Sequence, residues 1–185
     1  MIETFLITMT ALVSGYTGVV MPHLPTHMSV KETEPIAKLS TIDRSEILWL
    51  ARVIFSETKN EEEMNLIGWV VRNRVEAGYR GGTYKQVAQS KHQFSGLNPK
   101  DPQYDININM GYGSTNEKWI KALRVAEKIY FADETKRPFS KDVLHFYSPI
   151  SVKEKPKWTI DGNLNYTVAG ENEMTPRFAF YSGVK

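Results

Sequence analysis

Residues 43–78 read DRSEILWLARVIFSETKNEEEMNLIGWVVRNRVEAG, and the periodicity of this stretch decides the fold. Ile47, Leu50, Ala51 and Ile54 recur at helical spacing, which predicts a first helix from Thr41 to about Thr58. Its start signal is Asp43 with Glu46 three residues on, a variant capping box ahead of the apolar run. A second start follows at once. Asn60 can cap, and Glu61, Glu62 and Glu63 put negative charge where a helix dipole favours it. Leu66, Ile67, Val70, Val71 and Val75 carry this second helix to Arg72 and Arg74 near its end and to a stop at Gly78. The two helices therefore meet at a very tight corner.

Glu57 stands at that corner with unusual neighbours for a carboxylate. At about 100° per residue it lies roughly 20° from Leu50, 40° from Val53 and 60° from Ile54, so it shares the apolar stripe. Loss of hydration and the negative end of the helix dipole both raise the pKa of a carboxyl group held there. A carboxylic acid that stays protonated near neutral pH is what a glycosidase needs to protonate the leaving oxygen of a sugar bond. The alternative is that Glu57 turns outward at the helix end and caps it or forms a salt bridge.

Outward from the corner, a short helix is expected over Tyr84 to Ser90, then a long loop from His92 to Tyr112 rich in Gly, Asn, Asp and Pro. So long an irregular connection inside a compact domain is more often functional than idle. Ser114 with Glu117 reads as a capping box for a further helix that carries Trp119, Ala122, Leu123, Ala126 and Ile129 on one face. Beyond Pro138 the pattern changes to β-prone runs at Val143 to Tyr147, Tyr166 to Ala169 and Phe178 to Tyr181. Helices first and a small antiparallel sheet last make an α+β fold: a helical core with the sheet in the C-terminal part.

Upstream, no charge interrupts Phe5 to Met21, a run at the lower limit for spanning a bilayer as a helix. A short apolar stretch, Phe5 to Val13, followed by Ser14 and Gly15 fits an export signal, although Glu3 replaces the usual basic start. Residues 1–21 are read as a signal peptide or N-terminal membrane anchor, with a buried or frayed N-terminal segment as the alternative. Pro22, Pro25 and Pro35 mark residues 22–41 as a linker, which leaves 42–185 as one catalytic domain, expected to be monomeric.

Composition narrows the chemistry. The 185 residues are 41% hydrophobic and 24% charged, ordinary for one globular domain, and a formal charge of +2 makes nucleic acid an unexpected partner. Cysteine is absent, which excludes disulfides and thiol nucleophiles. The four histidines, at 23, 27, 92 and 145, show no HExxH or other compact ligand spacing, so neither a metal nor a cofactor is expected. Serine-hydrolase elbows and phosphate-binding glycine loops are absent as well.

Four blocks in order carry a resemblance. Leu50 to Glu57 (LARVIFSE) followed by Gly68 to Val75 (GWVVRNRV), then Gln93-Phe94-Ser95, then Leu144 to Pro149 (LHFYSP) with Lys157-Trp158, and finally Phe178 to Tyr181 (FAFY) resemble the SleB-type cell-wall hydrolases over residues 44–182. In that family a helix ends in the catalytic Glu and the next reads roughly VVLNRV, where this chain has VVRNRV. Departures exist: SETKNE at 56–61 stands where the family commonly has GEARGE, and the loop before Ser114 is enlarged, which puts subsite preference in question.

The resemblance implies a lysozyme-like fold and cleavage of peptidoglycan between N-acetylmuramic acid and N-acetylglucosamine, often as a lytic transglycosylase. Glu57 would be its acid and then its base. Export to the cell envelope or periplasm, membrane-anchored or virion-associated, would accompany that activity. Gln93, Phe94 and Ser95 are assigned to substrate binding, Gln93 and Ser95 through an N-acetyl group or by orienting Glu57; a plain turn closing the short helix is the alternative. Tyr147 and Trp158 could stack on sugar rings or pack in the core, and His145 is read as a structural hydrogen-bonding residue. A two-carboxylate hydrolase would need a partner such as Asp101 or Asp105, which otherwise read as turn formers. From a different class, a non-catalytic wall-binding or virion structural module would keep the fold without the activity.

Overall fold

The computed structural model describes residues 39–170 and 175–184, all within one compact unit. The signal or anchor expected over residues 1–21, and nearly all of the linker, lie outside the described residues. Among those described, no helix is long and apolar enough to cross a membrane.

Helix α1 runs from Thr41 to Glu57, and its cap is Ser40, whose hydroxyl accepts the Asp43 amide at 3.1 Å. The expected Asp43/Glu46 box is therefore corrected: Asp43 sits three residues inside the helix, and the domain starts within the stretch read as linker. Glu46 serves elsewhere, accepting the Tyr84 amide at 2.7 Å at the start of helix α3, Tyr84–Ala88. The chain leaves α1 through Thr58 in an extended conformation, and Asn60 caps helix α2, Glu61–Glu76, by accepting the Glu62 and Glu63 amides. Three residues thus make the corner.

Helix α2 closes in a Schellman motif. The Gly78 amide donates to the Val75 carbonyl and the Tyr79 amide to the Arg74 carbonyl, at 3.1 and 2.8 Å. This geometry requires the left-handed backbone of Gly78, φ +65, at no Cβ cost.

The long loop is more ordered than its composition suggests. A single 3-10 turn at Ser95–Leu97 and helix α4, Tyr104–Asn109, interrupt it. The buried Asn107 amide ties them together by donating to the Gly96 carbonyl at 2.8 Å. Helix α5, Glu117–Phe131, is capped by Asn116, whose side chain accepts the Trp119 amide at 3.0 Å, so the proposed Ser114 cap is also corrected. Arg72 reaches across from α2 and donates to the Ile129 and Ala132 carbonyls, both at 2.7 Å, satisfying the C-terminal end of α5.

The core lies where α1, α2 and α5 meet. Trp69, Trp119, Leu50, Ile54, Ile67 and Ile129 are fully buried there, each contributing about 1.5–3 kcal/mol of burial. Strands β1 (Val143–Tyr147), β2 (Asn163–Val168) and β3 (Phe178–Ser182) form an antiparallel sheet in the order β1-β3-β2. Every residue of β3 is buried, as a central strand requires, whereas most of β2 is exposed. Strand β1 is fastened to α2: Asn73 donates to the Val143 carbonyl at 3.0 Å and Arg74 Nε to the Leu144 carbonyl at 2.7 Å. That fastening brings the end of β1 toward Glu57. The fold is α+β, helices first and sheet last.

Candidate active site

Glu57 is the last residue of α1 and is only partly exposed. Burial pushes its carboxyl group up from 4.5 to about 7, against the opposing positive charges of Arg74 and Lys59. The group is therefore largely protonated below neutrality. Lys59 is drawn back over the end of α1, where its ammonium caps the Phe55 carbonyl and lies 3.6 Å from the centre of the Phe55 ring.

Two clefts meet at Glu57. The first, about 750 Å³, runs along the loop between α3 and α4 and is lined by Ser90, Lys91, His92, Gln93, Ser95 and Lys100 among others. The second, about 350 Å³, opens toward the sheet and is lined by Ser56, Arg74, Tyr147, Ser148, Ser151 and Arg177 among others. Glu57, Gln93 and Ser95 belong to both. The shared residues make one groove of the two, with the acid at the junction, and among the described residues Glu57 is the sole carboxylic acid lining either arm.

The local sequence explains how the loop reaches Glu57. A Cβ on Gly96 would lie 3.0 Å from Ser56 Cβ and 2.9 Å from Asn107 Nδ2, so the backbone of the 3-10 turn approaches α1 as only glycine permits. Ser95 and Gln93 arrive beside the acid as a result. Phe94, between them, is turned inward at 4% exposure and packs beneath the Arg74 guanidinium at 5.4 Å; it supports the floor of the first cleft.

The aromatic candidates separate. Tyr147 lines the second cleft. Trp158 lines neither of these clefts; it is packed against His145, Tyr147 and Tyr181 at ring separations of 5.3, 5.8 and 5.4 Å. His145 shares Nε2 with the Tyr79 hydroxyl at 2.9 Å, and burial, with Arg74 and Arg80 nearby, lowers its pKa to about 4. A neutral ring in a hydrogen bond fits a structural role. Asp101 accepts the Gln103 amide at 2.8 Å as a turn former, Asp105 sits in the first turn of α4, and neither lines the groove.

Arg74 is the cleft-lining residue that sequence reading passed over as a helix-end charge. It is 4% exposed, held by Nε on the Leu144 carbonyl and by the faces of Tyr79, Phe94 and Phe146, and it lines the second cleft beside Glu57. The wheel test that singled out Glu57 would have found it. Arg74 is seven residues from Ile67 and four from Val70, roughly 20° and 40° away on the same stripe.

Among the described residues no group of three or more His, Cys, Asp or Glu side chains could hold a metal ion. Compared with known proteins, no protein-family model matches the chain, and no curated protein or solved structure matches it significantly.

Proposed function

We propose that this chain is a lytic transglycosylase of lysozyme-like fold and SleB type, cutting peptidoglycan between N-acetylmuramic acid and N-acetylglucosamine at the cell envelope. One observation carries the reading. A carboxylic acid with a pKa of about 7 stands where two clefts of about 750 and 350 Å³ meet, a layout suited to a polymer that enters one arm and leaves by the other.

The chemistry needs one carboxyl group. Protonated Glu57 gives its proton to the glycosidic oxygen as the bond from the muramoyl C1 to that oxygen breaks, and the N-acetylglucosamine side departs as an alcohol. The carboxylate then takes the proton of the muramoyl C6 hydroxyl while that oxygen bonds to C1. A 1,6-anhydro ring closes, the acid is restored, and no water is consumed. Gln93 and Ser95, common to both arms, are placed to hold the sugar at the junction, and Tyr147 offers a ring in the second arm.

Mass spectrometry of fragments released from insoluble peptidoglycan tests this directly. Muramoyl ends lighter by one water than reducing ends are expected. Reducing ends alone would replace the transglycosylase with a two-carboxylate hydrolase, and binding to the wall without release of fragments would leave only a binding or structural module.

A further inference from the structure

Arg74 carries an unsatisfied donor beside the second cleft. Its Nη1 is buried and has no hydrogen-bond partner among the described residues, although Nε is bonded and the guanidinium is packed among three aromatic rings. Leaving such a donor unpaired is costly, and a fixed positive charge inside a protein acts strongly on whatever charge appears beside it. Its neighbour along the second cleft is Glu57. In the protonated state Glu57 is neutral and has no need of an ion partner. Once it has delivered its proton it is an anion in a poorly hydrated site.

We infer that Arg74 is a positioning residue for the proton transfers: a rigid buried cation that receives the Glu57 carboxylate after the acid step and holds it, through the waiting Nη1–H, for the base step. The inference rests on the reading of Glu57 as acid and base. It explains why a cation is built into the apolar stripe of α2 without a carboxylate bonded to it. The aromatic rings and the Leu144 carbonyl fix the guanidinium, so Glu57 is the partner that moves.

Other titratable and charged groups face this pair, and they differ in kind. Lys59 comes from the corner, Tyr79 and Arg80 from the turn after α2, His145 and Tyr147 from β1, and Arg177 from the approach to β3, while Lys91, His92 and Lys100 line the first arm. Lys59 is committed to the Phe55 carbonyl and Arg177 is ion-paired with Glu63 at 2.6 Å. His145 is neutral across the working range because its pKa is lowered to about 4. Arg177 Nε is also buried but faces the Glu63 carboxylate on a side chain that is 40% exposed, so Arg74 is the cation of this arm that combines a buried side chain with a donor facing no carboxylate.

The test reads the two groups by NMR in the intact chain. Titration of the Glu57 side-chain carboxyl carbon should give a midpoint near 7 in the wild type, and Arg74→Gln should raise it by about one unit or more. Arg74→Lys, which keeps the charge, should shift it less. The guanidinium nitrogens of Arg74 in the wild type should move with the same midpoint as Glu57, and that movement should vanish in Glu57→Gln; this measurement needs no Arg74 variant to fold. Guanidinium signals that stay still through the Glu57 titration would overturn the inference, as would an unchanged Glu57 midpoint in a folded Arg74→Gln. Neither readout requires turnover, so the inference can fail while Glu57 remains the catalytic acid.

Discussion

Two carboxylates flank one corner and are treated in opposite ways. Glu63, in the first turn of α2, is 1% exposed, receives the Thr58 hydroxyl and is ion-paired with Arg177 Nε at 2.6 Å. Glu57, at the end of α1, has burial as its main perturbation and a cation nearby but not bonded to it. Glu63 ties the α1–α2 corner to the segment that enters β3, so its charge is spent on structure. Glu57 keeps its proton available. A corner that holds one carboxylate satisfied and another poised can stay rigid while the poised one reacts.

The comparison breaks first at Glu63. Glu63→Gln should cost about 2–4 kcal/mol, because the buried carboxylate gives up its ion pair with Arg177, tempered by the 40% exposure of the Arg177 side chain. Urea unfolding measures it, and the surviving folded protein should keep the wild-type dependence of activity on pH. A neutral outcome would mean that the pair does not anchor the corner.

Glu57→Gln should act with the opposite sign. The folded-state pKa of about 7 lies above the ordinary 4.5, so ionising Glu57 costs stability that is intact below pH 4.5 and is lost as pH rises through 7. Removing the ionisable group should therefore stabilise the protein by about 1–3 kcal/mol at pH 8 and change little at pH 4. Thermal melts of both proteins at the two pH values decide this. The same sign governs turnover: activity should fall about tenfold per pH unit above 7, as the protonated acid is depleted.

Thr58→Val sharpens the contrast at smaller scale. The hydroxyl serves Glu63 and also accepts the Asn60 amide at 3.1 Å, so about 1–2 kcal/mol of stability should go while the Glu57 titration stays in place. Tyr147→Ala gives up the ring contacts with Trp158 and Tyr181, so it should lower the melting temperature and also raise KM on glycan strands. Trp158→Ala should lower the melting temperature through its own lost aromatic contacts and leave KM unchanged. Equal effects of the two on KM would return Trp158 to the binding surface.

Much of this was readable from residues alone, and the misses have physical causes. The stripes of α1, α2 and α5 are long and periodic, and β1 appears within the expected bounds because its apolar run is short and sharply ended. Caps went astray where several capping residues crowd together. Ser40 competes with Asp43, and Asn116 with Ser114, and the packing of the helix face decides between them. Helix α4 was read as loop because YDININ has poor helix propensity, and its hold comes from the distant bond of Asn107 to Gly96. Glu57 was legible because a carboxylate on an apolar stripe is anomalous. Arg74 was equally anomalous and was missed because a cation at a helix end already has a simpler explanation in the dipole.

The rate at which soluble muropeptides leave insoluble peptidoglycan, measured for wild type and Glu57→Gln together below pH 7, tests the central claim most directly. The account predicts steady release by the wild type and a loss of at least about a hundredfold in a variant that melts no lower. Release by Glu57→Gln at the wild-type rate would contradict it.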